Sequence, residues 1–312
     1  MAVVPLPLVE SAARAHNAIN PDLPLWANWS FDPQFLVPVA IAAWFYLHGL
    51  TRWTERSREH PWWRTAFFFA GLALLVIAIE SPLDRLAEDY LAFHMIQHEV
   101  MMTLAVPAIL LGAPTTPSLR GMPRWLRLGV VRRLARRPEV RLAYRWVTHP
   151  VVAIATGTAV LWAWHLAPGW YDAALTNAAI HDLQHLSMAG IAMLFWWNVI
   201  DPKPRRSRLA YIPRVLYVFA AGVPRQFLAA MLTFAERPLY DVYRVAHGPL
   251  ALAPADDQQL GGLIMWVPGG MMYLLIMGII FGVWAHKSEQ AQRTYEANVE
   301  RARTAAASRG EA

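Results

Sequence analysis

The 312-residue chain contains no cysteine, and Asp, Glu, Lys and Arg together make up only 16% of it. Without thiols, disulfides, thiolate metal sites and CxxC redox chemistry are excluded. A soft metal would have to be held by His and Met, with Asp or Glu as harder ligands. So little charge argues against a soluble domain, where about a quarter of residues are charged. Nucleophile–base pairs, a phosphate-cradling glycine loop and an HExxH motif are also missing, so no sequence case exists for an enzyme. The opening residues, MAVVPLPLVESAARAH, lack the basic and apolar regions of a signal peptide.

What the chain has in quantity is apolar length. Hydrophobic residues reach 56%, and runs of roughly 20, enough to cross a bilayer, recur. Seven spans are expected: Gln34–Leu50, Trp63–Ile79, Leu91–Leu111, Pro150–Leu166, Ala178–Ile200, Tyr211–Phe234 and Leu260–Trp284. Prolines 38, 107, 224 and 268 fall in or near them, where they kink helices. The expected fold is an all-α integral membrane bundle of seven transmembrane helices. It has an outer N-terminal segment (1–33), a membrane domain (34–284) and a cytoplasmic tail (285–312).

The basic residues orient it. Of the 28 Lys and Arg, all but Arg14, Arg85, Arg237, Arg244 and Arg225 fall in the loops after spans one, three and five or in the C-terminal tail. By the positive-inside rule the N-terminus is outside and the C-terminus cytoplasmic. The net charge of +6 therefore has a topological explanation and does not call for nucleic acid. The stretch from Met122 to Leu134 reads as a basic amphipathic helix on the inner leaflet. Tryptophans 26, 29, 62, 63, 196, 197 and 284 read as an interfacial aromatic belt.

One pattern occurs twice. His-x-x-Gln-His-x-x-Met gives His94, Gln97, His98 and Met101, and again His181, Gln184, His185 and Met188, 87 residues on. Offsets of 0, 3, 4 and 7 share one helix face. Each copy lies just under the outer surface on an outside-to-inside helix, so spans two–three and four–five read as a parallel repeat. Two facing i, i+4 histidine pairs offer four imidazoles to one metal ion. The methionines add thioethers that suit Cu(I) better than zinc, and the glutamines are placed to orient the imidazoles. Two alternatives stand: haem ligation and hydrogen bonding between helices.

Other polar groups gather at the same level: Glu80, His165, Tyr171, Asp172, His247, Asp256 and Asp257. Asp257, with Asp256 and Gln258, reads either as a collector of cations at the outer mouth or as a solvated helix start, and Arg225, mid-span, as the ion-pair partner of Glu99. The inner halves of spans three and five, Leu104–Leu111 and Ile191–Trp197, are almost wholly apolar, which argues against a path through the bilayer.

The sequence resembles the CtaG-type cytochrome c oxidase assembly factors, seven-helix bacterial membrane proteins. The resemblance runs through Ser81-Pro-Leu-Asp84, His94-Met-Ile-Gln-His98, Leu111-Gly-Ala-Pro114, Trp164-His165 and Tyr171-Asp172. It continues through His181-Asp-Leu-Gln-His185, Pro238-Leu-Tyr240 and Asp257-Gln-Gln-Leu-Gly-Gly-Leu-Ile-Met-Trp266. It implies a non-enzymatic role in maturing a haem–copper oxidase at the bacterial cytoplasmic membrane. The partner would be an oxidase subunit or another assembly factor, and the cargo copper, held by His94, His98, His181 and His185 with Met101 and Met188 assisting.

Overall fold

Apolar runs close their backbone hydrogen bonds internally, and the chain does this with helices throughout. A computed structural model describes residues 23–54, 60–201, 207–244, 250 and 252–308, and no strand occurs among them. His16, His247, most of the outer N-terminal segment, the end of the tail and several orienting basic residues (Arg14, Arg56, Arg58, Lys203, Arg205, Arg206, Arg309) lie outside the described residues.

Helix α1, Pro33–Thr51, starts where the Asp32 carboxylate accepts the Gln34 N–H at 2.8 Å, and Pro33 contributes a preset φ at the first turn. Helix α2, Trp62–Glu80, leads to the short α3, Pro82–Asp89. Helix α4, Leu91–Leu111, widens into π-helical turns over Val100–Ala105. The cause lies just downstream, because Pro107 has no N–H to return to that turn. The Met102 carbonyl instead accepts the Trp196 indole N–H at 2.8 Å. Trp196 is thus a buried core residue and not part of an interfacial belt.

Helix α5, Thr115–Gly121, folds back on the C-terminal half of α1. There Gly49 and Gly121 meet backbone to backbone, and a Cβ on either would strike the carbonyl of Pro117 or Phe45. The basic stretch forms wide turns over Trp125–Val131, then α6, Arg132–Arg136, and α7, Pro138–Val147, none of them with a buried residue. The remaining helices are α8, Pro150–Leu166; α9, Trp170–Thr176; α10, Ala178–Val199; α11, Tyr211–Phe234; and α12, Pro254–Ser308. Helix α12 continues unbroken past residue 284.

Among the described residues, five helices (α1, α2, α4, α11 and α12) are long and apolar enough to cross a membrane, and α7 with α8 makes a sixth if that pair, bent by 69°, is one span. This is the architecture of a multi-pass membrane protein. Helix α10 has the length, at 22 residues. Its His181, Asp182, Gln184, His185 and Asn198 dilute its apolarity.

The spacing of the histidine motifs recurs in the architecture. Helices α2, α3 and α4 are followed, close to 87 residues later, by α8, α9 and α10. The joint before each motif helix is one extended residue: Tyr90 (φ −136°, ψ 128°) and Asn177 (φ −139°, ψ 115°). The expected repeat is therefore present in helix order and in joint geometry.

Three apolar clusters hold the bundle among the described residues, one of them Tyr46, Leu50, Phe68 and Leu72 between α1 and α2. A second, around the histidine motifs, joins Met95, Met101, Leu161, Met188, Leu228 and Met265, and a third joins Val106, Leu110, Ala192, Trp196, Val218 and Ile280. Gly261 and Gly262 let α12 approach Leu91 and Thr233 closely. Large apolar side chains such as Phe227 and Leu274 remain exposed, the surface a lipid solvent requires.

Candidate metal centre

Helical periodicity stacks each histidine pair, and the packing of α4 near α10 brings the pairs together. Ring centroids are 4.4 Å apart for His94–His98 and 4.3 Å for His181–His185. Across the helices the separations are 5.5 Å for His98–His185, 5.8 Å for His94–His181 and 6.2 Å for His94–His185. Candidate ligand nitrogens of His94, His98 and His185 all lie within 4.8 Å of one another, while His181 flanks them. All four rings are buried, His94 and His181 completely.

Both ring nitrogens of His94 and Nε2 of His98 have no hydrogen-bond partner among the described residues. A buried polar atom left unpaired costs about 1–3 kcal/mol, and in a native fold it signals water, an ion or a functional role. Two nitrogens bound to one ion at ~2 Å each are at most ~4 Å apart. The three rings thus need only small rotations to converge on a metal.

Met101 and Met188 are likewise buried, in the apolar layer around the cluster. Met101 also shares a cleft with His185. The glutamines do not play the expected part. Gln97 turns its amide toward α2 and α3, donating to the Ala78 carbonyl at 2.9 Å and to Asp84 at 2.6 Å. Neither amide atom of Gln184 has a partner among the described residues. Burial pushes the Asp84 carboxyl up to about 7, against the pull of the Gln97 hydrogen bond and the Arg85 charge.

Aromatic rings pack against the cluster from the α9 side. Tyr171 lies 5.3 Å from His94 and 5.6 Å from His165, and stacks on Tyr240 at 3.9 Å. The segment that carries Tyr240 and Tyr243 is pinned twice. Asp172 accepts the Val242 N–H at 2.9 Å, and the Tyr243 hydroxyl donates to the Ala87 carbonyl at 2.6 Å. His165 donates its Nδ1–H to the Leu161 carbonyl, 2.8 Å away, which leaves its buried Nε2 without a hydrogen-bond partner among the described residues.

Immediately after His98, Glu99 forms the expected ion pair with Arg225 of α11. Arg225 also reaches the Met265 carbonyl at 3.4 Å and lies 5.6 Å over the Tyr273 ring. Asp257 corrects the sequence reading: it is buried, and its two oxygens accept the Leu91 and Ala92 N–H groups at 2.7 and 3.0 Å. It caps α4 from another helix. Sequence reasoning did not pick out Tyr243, Asp84 or Asp182 as site residues. Asp84 and Asp182 stand inside the motifs that carry the family resemblance, which was the available signal.

Among curated proteins, the chain is 24% identical over 275 residues to uncharacterized proteins of Mycobacterium bovis and Mycobacterium tuberculosis, and 22% identical to one of Mycobacterium leprae. Each alignment covers 84% of this chain but 40% of the relative, so the chain spans well under half the length of the curated relatives it matches. No solved structure matches. The family model for the cytochrome c oxidase caa3 assembly factor matches residues 44–287, a stretch that contains both histidine motifs, Asp84, Arg225 and Asp257. Over most of its length, then, the chain belongs to the cytochrome c oxidase caa3 assembly factor family.

Proposed function

We propose that this protein helps mature a haem–copper oxidase at the bacterial cytoplasmic membrane by holding a copper ion in the cluster of His94, His98, His181 and His185. The supporting reading of the fold is a seven-span bundle, N-terminus outside, with α7–α8 and the polar α10 counted as spans. That topology sets the cluster in the outer half. The ion is cargo, passed to an oxidase subunit or another assembly factor, and no catalytic step is assigned.

The observation that carries the proposal is the set of converging, buried imidazoles whose nitrogens on His94 and His98 are unpaired. Neutral imidazole suits borderline metals such as copper, and the nearby Met101 and Met188 thioethers favour the cuprous state. The ring centroids lie 4.3–6.2 Å apart, a spacing that suits one shared ion.

The test is a His98→Ala/His185→Ala variant purified in detergent and offered copper beside the wild type. It should remain monodisperse and helical yet lose the bound metal. Equal copper content in the two proteins would refute the proposal, and a Soret band in the wild type would point to haem instead.

A further inference from the structure

A cleft of about 560 Å³ opens beside the histidine cluster. Its walls come from the turn before α1, the end of α2, the start of α3, and one face each of α4 and α10. Along it lie Asp32, Glu80, Asp84 and Asp182, and at its inner wall His185 and Met101. Arg85 is the cation among the lining residues.

Glu80 is the informative side chain. It is 1% exposed, and one oxygen, Oε2, accepts the Asp32 N–H at 2.8 Å. The other, Oε1, is buried without a hydrogen-bond partner among the described residues. A carboxylate oxygen held in that state is poised for a cation. The next groups inward are imidazole and thioether, so the cleft runs from hard oxygen ligands to softer nitrogen and sulfur. On α10, Asp182, His185, Leu186 and Ala189 share the cleft-lining face. Asp182 and Leu186 are exposed and His185 is buried, so one helix face leads from surface to cluster.

We propose that this cleft is the route by which a single copper cation, without a bulky carrier ligand, reaches the histidine cluster, with Asp182 and Glu80 as successive capture groups. The inference rests on the copper reading of the cluster and adds the path. Negative charge along a narrow cleft raises the local cation concentration and the rate of capture, an effect that salt screens.

The experiment measures how fast the metal-free, full-length protein in lipid nanodiscs takes up cuprous ion. The ion is supplied anaerobically as its acetonitrile complex, and a chelator quench stops the uptake. In Asp182→Asn, a change at an exposed position, uptake should slow about threefold, and in Asp182→Asn/Glu80→Gln about tenfold. Ala189→Trp, which fills the cleft without altering charge, should also slow uptake. Final copper per protein should match the wild type in every case, and added salt should slow only proteins that keep the carboxylates. Wild-type rates in both Asp182→Asn and a monodisperse Ala189→Trp would overturn the route while leaving the cluster reading intact. If the wild type retains no more copper than His98→Ala/His185→Ala, the cluster reading and the route fall together.

Discussion

The two copies of the repeat present the same His-x-x-Gln-His-x-x-Met face, but their surroundings differ. In the first copy α4 is capped from outside by Asp257 of α12, Gln97 is tied to Asp84, and Glu99 is paired with Arg225. In the second copy α10 is capped by its own Asn177, through the Ile180 N–H at 3.2 Å. There Gln184 has no partner among the described residues, and Leu186 stands where the 87-residue offset places Glu99. One histidine pair is thus anchored to the rest of the bundle by long-range polar contacts. The other is mounted on a helix that supplies its own cap and lines the cleft. The shared face carries the four imidazoles, and the differences set a half anchored from other helices beside a self-capped half that lines the cleft.

The largest break in this comparison is to make the first copy like the second. Glu99→Leu leaves Arg225 buried without its counter-ion and should lower stability by about 3–5 kcal/mol. Thermal unfolding in detergent reads this out, and the double change Glu99→Leu/Arg225→Met should restore much of the loss. The pH response comes next. Folded Asp84 keeps its proton up to about pH 7, against 3.8 for an ordinary Asp, and its counterpart in the second copy is Tyr171. Between those values the native state binds the extra proton, so stability falls as pH rises from 4 to 7, by a few kcal/mol at most. Asp84→Asn should flatten that slope in melting curves taken across the window.

Caps give the smaller effects. Asp257→Ala strips two buried N–H groups of their acceptor and should cost about 2 kcal/mol. Asn177→Ala, the equivalent change in the second copy, should cost about 1 kcal/mol. Equal losses in denaturant titrations would mean that the two helices are anchored alike.

Much of this was legible in the sequence, because it depended on local periodicity. An i, i+4 pair must share a helix face, and apolar runs must be helical in a bilayer, so the histidine pairs and most span positions could be read directly, whereas the short α3 and α9 that complete each copy of the repeat could not. Arg225 with Glu99 was legible for a related reason, since a mid-span charge needs a partner. What could not be read was long-range. Asp257 looked like a solvent-facing helix start because nothing local shows that α4 begins beside it. Trp196 looked interfacial because its role depends on a carbonyl that Pro107, on another helix, leaves free. The pairing of Gln97 with Asp84 depends on how α3 folds over α4, which no sequence spacing encodes.

The central claim is that imidazoles from both copies bind one metal ion. X-ray absorption at the copper edge of the loaded wild-type protein tests it most directly. The account predicts a nitrogen shell at ~2 Å with imidazole scattering from at least three rings, reduced in both His94→Ala and His185→Ala. A shell of oxygen ligands alone, or one unchanged when either copy loses its histidine, would contradict it.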